Sequence, residues 1–218
     1  MLTELGKSRA KVEYLATQLG IANTHLHFFR QLSVAQQGAW KKEFYKSLDF
    51  WGYTISAHIQ ATVVHLCRVY DPCFDRRDKR NQRSERTFHL LRFLEEIDQS
   101  KLNATQQALR LSDLEFVQRE DANGRKLPHP SVVKLRAWRN KLVAHSDRDL
   151  SIEGTSSFLR RYPAKLEEIQ FLIDRAFEIL DHWKRSYHYD GEIKRLAGGY
   201  EGYKLVLDAL RLLPPPPA

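Results

Sequence analysis

Apolar residues recur every three or four positions through residues 39–70, the longest patterned segment of this chain. The recurring positions are Phe44, Leu48, Trp51, Ile55, Ile59, Thr62, Leu66 and Val69. This spacing gives a helix one wide apolar face, which has to pack against other elements. Pro72 follows Asp71, and a residue before proline is biased away from helix, so the sequence predicts that this helix ends there.

The same spacing predicts further helices over residues 3–19, 23–32, 105–119, 131–144 and 155–186, with Gly20 ending the first of them. No segment alternates with the period of a strand. We therefore expect an all-α fold, an antiparallel bundle of four principal helices with N- and C-terminal helical additions. The expected divisions are an N-terminal helical extension (1–38), the bundle (39–187), and a C-terminal extension with a proline tail (188–218).

Composition narrows the class of protein. A chain of 218 residues with 42% hydrophobic residues can bury a substantial core in one domain. It has no apolar run near the roughly 18 residues that a membrane span needs. The N-terminus lacks the apolar core of a signal peptide, so we expect a cytoplasmic protein with no membrane partner. Cys67 and Cys73 match no common zinc spacing, and we expect reduced thiols, no metal and no cofactor.

The formal net charge of +8 favours a polyanionic partner, above all nucleic acid. Much of the excess lies in residues 76–86, and the candidate RNA contacts there are Arg76, Arg77, Lys79, Arg80 and Arg83. Two interpretations stay open. The segment is either a solvated charged loop or an arm that contacts phosphates beside an active site.

The residues best suited to chemistry stand together at the end of the predicted helix 131–144. Arg139 can hold a phosphate through two hydrogen bonds. Asn140 is a polar group that can orient it, and His145 changes charge near neutral pH and can serve as acid or base. These groups suffice to cleave RNA without a metal, by attack of a ribose 2′-hydroxyl. The alternative is structural, with His145 closing the helix against its dipole and Arg139 paired to a carboxylate of the bundle.

Two segments resemble a known family. Residues 139–147, Arg-Asn-Lys-Leu-Val-Ala-His-Ser-Asp, resemble the signature of the HEPN superfamily, small helical bundles that include many metal-independent RNases. Residues 66–72, Leu-Cys-Arg-Val-Tyr-Asp-Pro, resemble the abortive-infection-like branch of that superfamily. The resemblance covers roughly residues 40–187.

The resemblance implies a homodimer, because HEPN domains typically pair so that two motifs face a shared cleft. It also implies that Arg68 and Asp71 lie near the motif and support it, although a structural ion pair at a helix end is the alternative. Tyr70 is either a phosphate contact or a packing residue. Members that a partner nucleotidyltransferase inactivates carry a tyrosine two places after the motif histidine. Asp147 stands there in this chain, so that regulation is excluded.

The leading functional prediction is a metal-independent endoribonuclease with RNA as its partner, acting in phage defence or in toxin–antitoxin growth arrest. An antitoxin protein is a further candidate partner. The alternatives are a non-catalytic RNA- or nucleotide-binding module and a structural dimer or adaptor. Salt-sensitive RNA binding without cleavage separates the first alternative from the enzyme, and the absence of any nucleic-acid affinity indicates the second.

Overall fold

The fold is known from a computed structural model, which describes residues 4–70, 88–120, 123–124, 126–142, 165–195 and 202–212. The α-helices are α1 (Glu4–Gln37), α2 (Lys41–Tyr45), α3 (Leu48–Tyr70), α4 (Leu90–Glu95), α5 (Ala104–Val117), α6 (Pro130–Leu142), α7 (Leu166–Trp183) and α8 (Gly202–Arg211). Short 3-10 helices span Gln99–Lys101 and Lys184–Tyr187. The predicted all-α class is confirmed.

The first helix is longer than the sequence predicted. It runs unbroken through Gly20 to Gln37, so the predicted break at that glycine was wrong. A methyl group at Gly20 would lie 3.5 Å from the carbonyl oxygen of Lys194, so the C-terminal segment packs closely against the helix here. Interior glycine costs a helix about 1 kcal/mol relative to alanine, an amount that packing along a 34-residue helix readily offsets.

The predicted helix over residues 39–70 is divided in two. The backbone N–H groups of Lys46 and Ser47 donate to Glu43 and Phe44, and these three-residue bonds tighten and end α2 before α3 begins at Leu48. Phe44 and Trp51 lie on either side of this turn with their ring centroids 4.7 Å apart. They share a small core with α8, which is buried through Leu207.

One short hairpin departs from the predicted absence of strands. Strands β1 (Gln118–Glu120) and β2 (Lys126–Pro128) pair antiparallel, and Gly124 in the intervening turn has a φ of 70°. A period of two cannot show itself in strands of three residues, which is why the sequence did not reveal them. The hairpin connects the end of α5 to the start of α6.

The main core lies between α1, α3, α6 and α7. Each contributes a buried face, and the largest shares come from Leu15, Leu19 and Leu26 of α1, Ile59, Val63 and Leu66 of α3, and Leu172, Ile173 and Phe177 of α7. The tryptophans Trp51, Trp138 and Trp183 are buried, whereas Trp40 is half-buried. The inner face of α1 thus belongs to the same core as the bundle, while the predicted division at residue 38 stays a prediction.

The last long helix is described from Leu166 to Trp183, and the predicted part of it before residue 165 lies outside the described residues. None of the helices in the described part of the chain is long and apolar enough to cross a membrane.

Candidate functional site

Helix α6 holds two of the three predicted catalytic residues in a fixed relation. Arg139 donates from Nη2 and Nε to the side-chain oxygen of Asn140, over 2.9 and 3.2 Å. The amide oxygen therefore bonds one edge of the planar guanidinium. Arg139 is half-buried, and both bonds lie at the solvent-exposed side of the helix. The expected role of Asn140 as an orienting group stays a prediction.

A firmly packed helix carries these two residues. Val132, Leu135 and Trp138 of α6 are buried against the core. Lys134 forms an ion pair with Glu168 of α7 on one side, and the thiol of Cys67 in α3 lies 3.8 Å from the carbonyl oxygen of Leu135 on another. A site on a rigid helix keeps its geometry better than one on a loop.

Several predicted site residues lie outside the described residues. These are His145 and Asp71, together with the basic candidates Arg76, Arg77, Lys79, Arg80 and Arg83. The distance between Arg139 and His145 stays a prediction, and so do the Arg68–Asp71 pair and the RNA-binding arm.

Arg68 is described, and its neighbour is helix α1. It is exposed in the last turn of α3, where Nη1 donates to the side-chain oxygen of Gln18 over 3.4 Å. The Nδ1 atom of His65 lies 2.8 Å from the same oxygen. Gln18 is therefore shared by two groups of α3, and sequence reasoning had singled out neither Gln18 nor His65.

The larger feature that sequence reasoning missed is a row of imidazoles between α1 and α3, the histidine seam of His25, His58 and His65. Nδ1 of His25 lies 2.8 Å from Nδ1 of His58, and the rings of His25 and His65 stack with centroids 6.4 Å apart. A signal existed in the spacing. Gln18 and His25 are seven residues apart, as are His58 and His65, and seven residues return a helix to nearly the same face.

The pairing Gln18–His65 and His25–His58 runs in opposite directions along the two helices, so α1 and α3 are antiparallel neighbours. Burial lowers the pKa of all three imidazoles. The charge of Arg68 further lowers the pKa of His65, and that of His25 further lowers the pKa of His58. The three rings are therefore neutral at pH 7.

Tyr70 is a packing residue. Its phenol is 1% exposed and donates to the carbonyl oxygen of Leu172 over 2.7 Å, and burial raises its pKa. The phosphate contact considered from the sequence is excluded, because the hydroxyl is enclosed between α3 and α7.

A second polar cluster lies on the side of α5 and α7. Asp113 is fully buried and accepts from Arg175 Nη2 over 2.5 Å and from Trp183 Nε1 over 2.7 Å. Nδ1 of His182 lies 3.6 Å away. The carboxylate is thus saturated by side chains of α7, and this cluster ties α5 to the bundle.

No group of three or more His, Cys, Asp or Glu side chains in the described ranges is placed to hold a metal ion. Cys67 is buried, and its thiol faces the carbonyl oxygen of Leu135.

Comparison with known proteins gives one match. A family model described as HEPN_AbiU2, AbiU2, matches residues 7–191. The match extends beyond residues 40–187, the range of the sequence resemblance, and takes in nearly all of α1. No curated protein and no solved structure matches the chain.

Proposed function

Because the chain belongs to the AbiU2 family of HEPN proteins, we propose that it is a metal-independent endoribonuclease that acts in phage defence or toxin–antitoxin growth arrest. One observation carries the proposal. The guanidinium of Arg139 is bonded to Asn140 on a helix packed into the core, at the start of the run that ends with His145. In this proposal, Arg139 and His145 perform the cleavage without a metal ion.

The proposed reaction is attack of a ribose 2′-hydroxyl on the neighbouring phosphorus. The O2′–P bond forms, the P–O5′ bond breaks, and the products carry a 2′,3′-cyclic phosphate and a 5′-hydroxyl. Arg139 stabilises the charge on the non-bridging oxygens, and His145 transfers a proton to or from the reacting oxygens. Proton transfer of this kind typically contributes about 10²–10⁴-fold, and a positioned donor for the developing charge about 10²–10³-fold.

The reaction needs both an acid and a base, whereas each chain carries one motif histidine, and a homodimer supplies the second. The solvent face of α3 supports a contact between two copies. Phe50 and Tyr53 are 56% and 78% exposed there, and Ala57, Ala61 and Val64 continue the apolar stripe at helical spacing. Small residues such as Ala57 and Ala61 let two helices approach closely. In the proposed homodimer the two-fold axis passes through this face, and the Arg139–His145 runs of both copies line a shared cleft.

The net positive charge supports the RNA partner. In the proposal, the basic residues between 76 and 83 contact RNA phosphates, and Asp71 supports the motif.

The proposed place of action is the cytoplasm, where the RNA substrates are. An antitoxin partner would act by contact, since Asp147 stands in the place of the modifiable tyrosine.

The proposal is tested by cleavage of single-stranded RNA in EDTA. We expect Arg139→Ala to lower the rate by about 10²–10³-fold, because it removes the charge opposite the phosphorane. Asn140→Ala keeps the positive charge of Arg139 but removes the hydrogen bonds that hold its guanidinium, so we expect a smaller loss of rate than in Arg139→Ala. Arg92→Ala is the matched control, since Arg92 is also half-buried and bonded to a nearby side chain, that of Glu96. Equal rates in all variants would overturn the proposal, and salt-sensitive binding without cleavage would favour the binding module.

A further inference from the structure

Gln18, His65 and Arg68 form a compact group at the outer edge of the contact between α1 and α3. The side-chain oxygen of Gln18 lies 2.8 Å from Nδ1 of His65 and 3.4 Å from Nη1 of Arg68. Gln18 is 8% exposed, whereas His65 is half-buried and Arg68 is exposed. A buried amide therefore holds two chemically different groups, one half-buried and one exposed.

The hydrogen bonds fix where the imidazole proton lies. Arginine only donates, so the Gln18 atom facing Arg68 is the carbonyl oxygen, which only accepts. The bond from the same oxygen to His65 therefore needs a proton on Nδ1. In the neutral ring Nε2 then keeps a lone pair. Within the described ranges of the chain, no hydrogen-bond partner occupies Nε2.

The group thus presents a hydrogen-bond acceptor, Nε2 of His65, next to a permanent cation, Arg68. An anion alone does not match this pattern, because the lone pair of Nε2 repels it. A ligand that carries a hydroxyl donor beside a negative charge does match. RNA repeats this pair at every nucleotide, since the ribose 2′-hydroxyl adjoins the 3′-phosphate, and DNA lacks the hydroxyl.

We propose that Gln18, His65 and Arg68 form a ribose–phosphate subsite, in which Nε2 of His65 accepts from a 2′-hydroxyl while Arg68 binds the adjacent phosphate. The subsite selects RNA over DNA through His65, and Gln18 positions both groups. This inference rests on RNA as the substrate class of the proposed function and adds a contact that the Arg139–His145 run does not provide.

The subsite lies at the end of α3 that also packs against α6. Cys67 of α3 contacts α6 at Leu135, one turn before Arg139. Arg68 is the next residue, and successive side chains on a helix point about 100° apart, so Arg68 points away from that contact towards solvent. It lies beyond Val64 at the end of the apolar stripe of α3, at the rim of the surface proposed for the second copy.

The test uses nucleotides that cannot be cleaved, so that its outcome is separate from RNase activity. The full-length protein with 15N-labelled histidine is titrated at pH 7.5 with adenosine 3′-monophosphate, its 2′-deoxy counterpart and inorganic phosphate. We expect the Nε2 signal of His65 to move with the ribonucleotide, at an affinity about tenfold above that of the deoxynucleotide, which corresponds to about 1.4 kcal/mol for one hydrogen bond. The signal of His182, which lies beside Asp113 in the second polar cluster, serves as an internal reference.

Three variants complete the test, with binding followed by the 31P signal of the nucleotide. Arg68→Ala, a change at an exposed position, should weaken both nucleotides alike. His65→Ala should weaken only the ribonucleotide and remove the preference. His27→Ala, at a half-buried position of α1, is the matched control and should bind as the wild type does.

Equal affinity for the two nucleotides, or an equal response to inorganic phosphate, would overturn the subsite and leave the proposed RNase untouched. A clear preference for the ribonucleotide in a protein that cleaves no RNA would instead support the subsite and contradict the proposed enzyme.

Discussion

Nδ1 of His25 and Nδ1 of His58 face each other across the α1–α3 contact at 2.8 Å. At this distance one ring donates and the other accepts, so the pair is stable only while at least one imidazole is neutral. His65 and the cation Arg68 continue the same row and add positive charge when the rings are protonated. The contact between the two longest described helices is therefore sensitive to protonation.

This arrangement predicts that stability falls in mild acid. The pKa of each seam histidine in the folded state is lowered from its ordinary value of 6.5, so the unfolded chain binds more protons in that range. The stabilisation is complete above pH 6.5 and is lost progressively as the pH falls from 6.5 through the lowered values. Urea unfolding at pH 7.5, 6.5 and 5.5 measures it. We expect His58→Ala to flatten this dependence, and an unchanged slope in that variant would contradict the assignment.

Asp113 provides a second prediction, on stability alone. Replacing it with alanine leaves Arg175 and the indole N–H of Trp183 without their acceptor in a buried site, at a cost of about 3–5 kcal/mol. Asp208, whose side chain is 58% exposed beside Arg211, is the matched control, and its replacement should cost less than about 0.5 kcal/mol. Denaturant unfolding measures the free energy of unfolding of both variants. Similar losses of stability in the two would show that the cluster does not anchor α5.

Tyr70→Phe distinguishes a structural role of the phenol from a role in RNA cleavage. The variant loses one buried hydrogen bond, to the Leu172 carbonyl, and should be less stable by about 0.5–1.5 kcal/mol. RNA cleavage should be unchanged at a temperature where the variant is folded. A rate loss without a loss of stability would mean that the phenol reaches the substrate.

Ala61→Glu tests the proposed dimer surface. A carboxylate in the middle of the apolar stripe on α3 should dissociate two copies, and cleavage should fall in parallel, while the helical content by circular dichroism stays the same. Ala209→Glu on the exposed side of α8 is the control and should change neither. Sedimentation velocity gives the mass. A wild-type protein that is fully active as a monomer would contradict the surface and the two-chain site together.

The helical class could be predicted because the apolar period is long and regular, as in residues 48–69. The boundaries were harder. Glycine is a common signal for the end of a helix, but α1 continues through Gly20. The segment at Lys194 packs against the helix there, and a contact over such a sequence distance cannot be predicted from local pattern. The hairpin at residues 118–128 was too short to show a period.

The site divides in the same way. Arg139 and Asn140 could be singled out because they are adjacent in one sequence motif, and the structure shows a bond between their side chains. The group of Gln18 and His65 could not be found, because its parts stand 47 residues apart and meet only when α1 and α3 pack. The seven-residue spacing on both helices was the available sign, but it has meaning only once the antiparallel pairing is known.

The proposed RNA cleavage depends on the Arg139–His145 run and on no metal. To test this, wild type and His145→Ala are incubated with single-stranded RNA in EDTA, and the ends of the fragments are identified. We expect 2′,3′-cyclic phosphate ends from the wild type and a rate lower by about 10²-fold or more in the variant. Intact RNA with both proteins, or equal cleavage by both, would contradict it.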